Sequence, residues 1–134
     1  MFDKAIAKLA KEASMLAYTP YSHFPVGAAL VTSEKEIIQG CNIENASFGL
    51  SNCAERTAVF KAISSGYRNF DAIYIYGDTK EPISPCGACR QVLAEFCEEE
   101  MPVYLLSKDL EVKETTIAGL LPYHFKRSNL STNV

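Results

Sequence analysis

Residues 26–41 read VGAALVTSEKEIIQGC, and the architecture turns on how they divide. Val26 to Thr32 is small and apolar on both alternating sets of positions, as in a strand covered on both faces. Ser33-Glu34-Lys35-Glu36 makes a turn, and Glu36 to Cys41 returns as a second strand. Upstream, Phe2, Ile6, Leu9, Ala13, Leu16 and Ala17 recur at helical spacing, which predicts an amphipathic helix over 2–18. Pro20 and Pro25 bracket a loop, Tyr21-Ser22-His23-Phe24. Downstream, Asn42 to Asn52 is polar and irregular. Ala54, Ala58, Val59, Ala62 and Ile63 place a helix over 53–65, with Gly66 to end it. Phe70 to Tyr76, rich in Ile and Tyr, reads as a strand.

After a loop closed by Pro85, Cys86 to Cys97 reads as a helix and Pro102 to Ser107 as a strand. Val112 marks a last short strand, and Thr116 to Leu121 a short helix closed by Pro122. Helices and strands thus alternate after an opening hairpin. The expected fold is α/β: a three-layer α/β/α sandwich with one mixed five-stranded sheet, antiparallel at first and partly parallel later. Residues 1–134 carry no repeat and no linker, so one domain is expected, with a tail frayed after about residue 126.

Composition narrows the function. The chain has 134 residues, 48% hydrophobic and 22% charged, the profile of an ordinary globular domain able to bury a core. A net charge of −3 argues against nucleic acid as the main partner, because phosphate binding needs a basic face. No apolar run is long enough to span a bilayer. The stretch 1–17 is too polar for a secretory signal, and Asp3 and Glu12 weaken a transit-peptide reading, so a cytoplasmic location is expected. Five cysteines, an odd number, then read as metal ligands or catalytic groups before disulfides.

Pro85-Cys86-Gly87-Ala88-Cys89 puts two cysteines three apart at a helix start, on nearly one face. The positive end of the helix dipole favours their thiolates. Alone, this spacing reads as a metal-ligand pair, a redox dithiol or coincidence. Cys53-Ala54-Glu55-Arg56 opens another helix and supplies a third sulfur. Three protein ligands leave one tetrahedral position of a zinc ion open, as in catalytic sites. A structural site would need a fourth ligand, for which Cys41, His23 and His124 are the candidates. Arg56, three residues after Cys53, can donate to thiolate sulfur and offset the charge of three thiolates. Elsewhere such an arginine is a solvent-exposed helix cation. Glu55 is the candidate for proton transfer beside an activated water, and without the cysteines would read as a first-turn acid favoured by the dipole.

Cys-Ala-Glu followed about thirty residues later by Pro-Cys-x-x-Cys is the zinc-deaminase signature. The stretches 21–27, 40–45, 53–57, 85–91 and 120–125 resemble the small three-cysteine cytidine deaminases. The resemblance covers nearly the whole chain except the tail. It implies one Zn2+ per subunit on Cys53, Cys86 and Cys89. It implies hydrolytic deamination of cytidine and deoxycytidine in pyrimidine salvage, with Glu55 protonating N3 of the base and then passing a proton to departing ammonia. It assigns Asn42 and Glu44 to the ribose hydroxyls, Phe24 to packing on the pyrimidine, the Ala54 main chain to the base edge and Gln91 to support of the zinc sulfurs. It also implies a homotetramer in which Phe125 reaches a neighbouring subunit's site. Phe48 stands where many relatives carry a tyrosine, so one hydroxyl contact near the sugar is lost. Cys41 and Cys97 read as core.

Rival readings are a deaminase of modified cytosine nucleosides or nucleoside antibiotics, a deaminase of single-stranded nucleic acid, and a structural zinc module that binds a protein. The second lacks a basic groove. The third lacks a paired fourth ligand.

Overall fold

The computed structural model describes residues 1–130. Asp3 caps the first helix, its Oδ1 accepting the main-chain N–H of Ala5 at 2.9 Å, and α1 runs Lys4–Ser14. Two strands follow, β1 Val26–Thr32 and β2 Ile37–Cys41, then α2 Ala54–Ser64, β3 Phe70–Gly77, α3 Gly87–Phe96, β4 Pro102–Leu106, β5 Val112–Thr116 and the single turn α4 Ile117–Leu120. The sheet order is β2-β1-β3-β4-β5. Only β3 and β4 pair in parallel; the other neighbours are antiparallel.

This order explains the layers. β2 and β3 flank β1 and run the same way, so the chain crosses between them through α2. β3 and β4 are parallel and are joined through α3. Both crossovers lie on one face of the sheet. There Ala28 and Leu30 of β1, Ile73 and Ile75 of β3, and Val103 and Leu105 of β4 pack with Ala58 and Val59 of α2, Leu93 of α3 and Ile117 of α4. The alternate residues Ala29, Val31, Tyr74, Tyr76, Tyr104 and Leu106 face α1 through Ala7 and Ala10. Every residue of β1 is buried, in accord with its unbroken apolar run. The fold is the expected three-layer sandwich.

Two close approaches set the helix positions. A Cβ at Gly27 would fall 1.9 Å from the Ala10 carbonyl oxygen, so α1 lies directly on β1. A Cβ at Gly40 would fall 2.5 Å from the Ala58 nitrogen and 2.6 Å from the Ala54 oxygen, so α2 lies directly on β2.

Three expectations are adjusted. α1 stops at Ser14, not near residue 18, because Tyr18 leaves to pair with another strand-like segment. The Tyr18 N–H donates to the Asn42 carbonyl at 3.0 Å, and its carbonyl accepts from Glu44 at 2.9 Å. Cys41 and Cys97 are both half-buried; Cys97 packs against the core, whereas Cys41 lies on the outermost strand. Beyond the last helix a short 3-10 turn spans Arg127–Asn129. The end of the expected frayed tail, 131–134, lies outside the described residues. Among the described residues no helix is long and apolar enough to cross a membrane.

Candidate active site

The N-termini of α2 and α3 meet on the crossover face. Cys53 is the residue just before α2, and Cys86 the residue just before α3. The Ile43 and Asn52 main chains pair in both directions, at 2.9 and 2.8 Å, which closes the loop 43–52 and delivers Cys53. Arg90 fixes the other approach. Its guanidinium donates to the Pro85 carbonyl at 2.9 Å, to the Leu120 carbonyl at 2.7 Å and to Ser84 Oγ at 2.7 Å. The residue before Cys86 is thereby tied to α4.

Cys53 Sγ lies 3.8 Å from Cys86 Sγ, and Cys86 Sγ lies 3.5 Å from Cys89 Sγ. All three sulfurs fall within 4.8 Å of one another. Tetrahedral zinc with Zn–S near 2.3 Å requires sulfurs about 3.8 Å apart, so this donor set fits that ion. Cys41, His23 and His124 are not members of the group. The cluster is therefore a three-ligand site with one position to spare, the pattern of a catalytic centre.

Electrostatics follow from the packing. Arg56 Nη2 donates to Cys53 Sγ at 3.3 Å, while its Nε is buried without a partner. Cys53 is pulled down to about 5, first by the Cys89 thiol that hydrogen-bonds it and then by Arg56, against the opposing effect of burial. Cys89, fully buried, is raised by the same interaction from the other side and by burial. Glu55 is only 4% exposed, and its carboxyl is pushed up to about 7, chiefly by burial. A carboxyl poised there can both take and give a proton near neutral pH.

Beside the sulfurs opens a cleft of about 550 Å3, a volume suited to a small molecule. Cys53, Ala54, Glu55 and Cys86 line it together with Ser22, Phe24, Asn42 and Glu44. The structure thus joins eight residues that lie in four separate stretches of sequence. Ala54 opens α2, where a main-chain N–H has no partner within the helix and can serve a ligand.

Asn42 and Glu44 bind a second loop of the chain. Asn42 Oδ1 accepts from the Val26 N–H and Asn42 Nδ2 donates to the Phe24 carbonyl, both at 2.8 Å. Glu44 Oε1 accepts from the Tyr21 and Ser22 N–H groups at 3.0 and 3.1 Å, and Glu44 Oε2 accepts from Ser22 Oγ. The Ser22 hydroxyl is the first reason that the Glu44 carboxyl is held below the usual range. Both side chains hold the loop that carries Phe24.

Two expected residues lie elsewhere in this chain. Gln91 does not meet the sulfurs; its Nε2 donates to the Phe125 carbonyl at 2.8 Å. It follows Cys89 by two residues, about 200° around the helix, and so faces away. Phe125 is 58% exposed and does not line the cleft of its own chain. Phe48 is also exposed, on a 3-10 turn, with its ring edge-on to Tyr21 at 5.8 Å. Arg90 and Ser22 were not anticipated. Arg90 lies within the recognised stretch 85–91, but nothing local distinguishes it from a surface helix cation.

Comparison with known proteins agrees with this geometry. The family model described as "Cytidine and deoxycytidylate deaminase zinc-binding region" matches residues 1–105. The cytidine deaminase of Sporosarcina psychrophila is 54% identical over 129 residues, 96% of this chain and 94% of that protein. That of Halalkalibacterium halodurans is 50% identical over 131 residues, 98% and 99% of the two chains. The crystal structure of the cytidine deaminase from Burkholderia pseudomallei superposes with a TM-score of 0.90 at 50% identity, covering 93% of this chain and all of that one. The meeting of three thiolates with a buried carboxyl, the mixed sheet that brings them together and these likenesses agree: the chain belongs to the zinc-binding cytidine and deoxycytidylate deaminase family.

Proposed function

We propose that this chain hydrolyses cytidine to uridine and ammonia, and accepts 2′-deoxycytidine as well. The observation that carries the reading is the cluster of the Cys53, Cys86 and Cys89 sulfurs, two of which line one cleft with the buried Glu55. Zinc on the three thiolates supplies a Lewis acid that makes water nucleophilic near neutral pH.

The chain's own residues do the rest. Glu55 takes a proton from the incoming water and places it on N3 of the cytosine ring, which makes C4 more electrophilic. Water oxygen bonds to C4, and Glu55 then delivers the second proton to the amino nitrogen. The C4–N bond breaks, ammonia leaves and the ring carbonyl forms. Arg56 offsets thiolate charge and so keeps the metal a useful acid. Phe24 packs on the ring, and the first-turn N–H of Ala54 meets the base edge.

Glu44 and Asn42 hold the ribose. A carboxylate has about four acceptor directions, and three donors occupy Glu44; one direction is left for a sugar hydroxyl. Asn42 likewise keeps one donor and one acceptor.

The same reading makes residues 1–134 one catalytic domain that acts in the cytoplasm as a homotetramer. Its five free cysteines suit a reducing compartment. Tyr18, Tyr21, Ile43, Phe48 and Leu50 are exposed on and around the loop beside the cleft, an apolar surface suited to a second copy. Phe125, outside its own cleft, is then available to a neighbour's, with Gln91 holding its main chain.

The test is ultraviolet absorbance with zinc-loaded protein and a panel of cytidine, 2′-deoxycytidine, cytosine and cytidine monophosphate, with sedimentation on the same sample. Conversion of the two nucleosides by a tetramer is expected. Failure to convert either nucleoside, with zinc bound, would overturn the reading.

A further inference from the structure

The loop between Pro20 and Val26 carries the ring-facing Phe24, and one hydroxyl organises it. Ser22 Oγ donates to Glu44 Oε2 and accepts the main-chain N–H of Phe24 at 3.1 Å. A hydroxyl has one proton and two lone pairs, so it can make both bonds at once. From the other side, Asn42 Nδ2 holds the Phe24 carbonyl at 2.8 Å. The Phe24 carbonyl is thus tied to Asn42 directly, and the Phe24 N–H to Glu44 by way of Ser22 Oγ. Between Ser22 and Phe24 the backbone passes through His23 at φ 56°, a left-handed conformation that a residue with a side chain seldom adopts unless its surroundings impose it. Ser22 also lines the cleft itself.

We propose that Ser22 is a positioning residue for nucleoside binding: its hydroxyl sets the Glu44 carboxylate and the Phe24 main chain together, so that the sugar end and the ring end of the cleft form one hydrogen-bonded unit. The inference rests on the reading that Glu44 holds the ribose. Ser22 does not touch the reacting atoms, so its influence falls on substrate affinity and not on the chemical step. A hydrogen bond to a charged group is stronger than a neutral one, and the two main-chain bonds to Glu44 persist when the hydroxyl is removed. A loss of about tenfold in affinity is therefore expected, short of complete failure.

The experiment is steady-state kinetics of the zinc-loaded enzyme with cytidine, for wild type, Ser22→Ala, Ser22→Thr, Glu44→Ala and the double variant Ser22→Ala/Glu44→Ala. Ser22→Ala should raise KM about tenfold with kcat within about threefold of wild type. Ser22→Thr, which keeps the hydroxyl, should recover most of that loss. The double variant should be impaired by less than the product of the two single effects, because the bond from Ser22 to Glu44 is already lost in Glu44→Ala while its bond to the Phe24 N–H is not. Effects that multiply in the double variant, or a threonine variant as impaired as alanine, would overturn the proposal. An unchanged KM in Ser22→Ala beside a raised KM in Glu44→Ala would remove the role of Ser22 and leave the assignment of Glu44 standing. An unchanged KM in Glu44→Ala would instead overturn the assignment of Glu44, and with it the route proposed for Ser22.

Discussion

Replacing Gly40 with alanine should move the catalytic helix without touching a catalytic group. An added Cβ would meet the Ala58 nitrogen at 2.5 Å and the Ala54 oxygen at 2.6 Å, whereas ordinary contact begins at 3.4 Å. Both obstacles are backbone, so no side chain can swing aside. α2 must retreat from β2 by about 0.8–0.9 Å, or the strand must bend away from it. Overpacking of this kind costs about 1–3 kcal/mol. For a domain of this size that lowers the melting temperature by roughly 4–11 °C. The kinetic effect should be larger than the folding effect suggests. Ala54, one of the two contacts, is flanked by Cys53 and Glu55, and a misplacement near 1 Å can cost about 100-fold in rate.

The assay is thermal unfolding together with kcat/KM for cytidine, measured well below the melting point of the variant. A fall of about 10- to 100-fold in kcat/KM of the folded variant is expected. Ser65→Ala, an exposed change just beyond the same helix, is the control; it should match wild type in both measurements. A Gly40→Ala enzyme that melts and turns over normally would refute the argument that this glycine seats the helix.

Three further outcomes are expected. Arg56→Gln removes the guanidinium that donates to Cys53, and should weaken zinc about 10- to 100-fold in chelator competition; unchanged affinity would show that the arginine does not support the thiolate. Arg90→Met loses three hydrogen bonds that hold the approach to Cys86, and should speed zinc release to a chromogenic chelator by a similar factor. Burial pushes the Cys97 thiol up to about 12, so its neutral form is favoured in the fold and thiolate appears only as pH rises toward that value. At pH 8 alkylation of Cys97 in the native protein should be about a thousandfold slower than for an ordinary thiol, with ordinary reactivity restored on unfolding.

The layers of the fold were legible because β1 is apolar at every position before Thr32, as in a strand covered on both sides. The end of α1 was not legible. Leu16 and Ala17 continue the helical spacing, but pairing of the Tyr18 main chain with Asn42 and Glu44 overrides it. β5 was visible only through Val112, since Val112, Lys113 and Glu114 are exposed at the sheet edge and carry no alternation to read. In the site, the Cys86–Cys89 pair follows from helical periodicity. Their meeting with Cys53 depends on both crossovers taking the same face of the sheet, which spacing alone does not state. The ties from Asn42, Glu44 and Ser22 to the Phe24 loop were invisible because they join residues far apart in sequence through main-chain groups that every residue possesses. The bond from Gln91 to the Phe125 main chain was invisible for the same reason.

The central claim is that Glu55 moves the protons in a cleft whose metal ligands are Cys53, Cys86 and Cys89. Its most direct test is cytidine turnover by Glu55→Gln, a variant of nearly the same shape that cannot accept a proton, with zinc content measured on the same sample. The account predicts one zinc per chain, as in wild type, and a kcat reduced by about 10^2- to 10^4-fold. A zinc-loaded Glu55→Gln enzyme that turns over within a few-fold of wild type would contradict it.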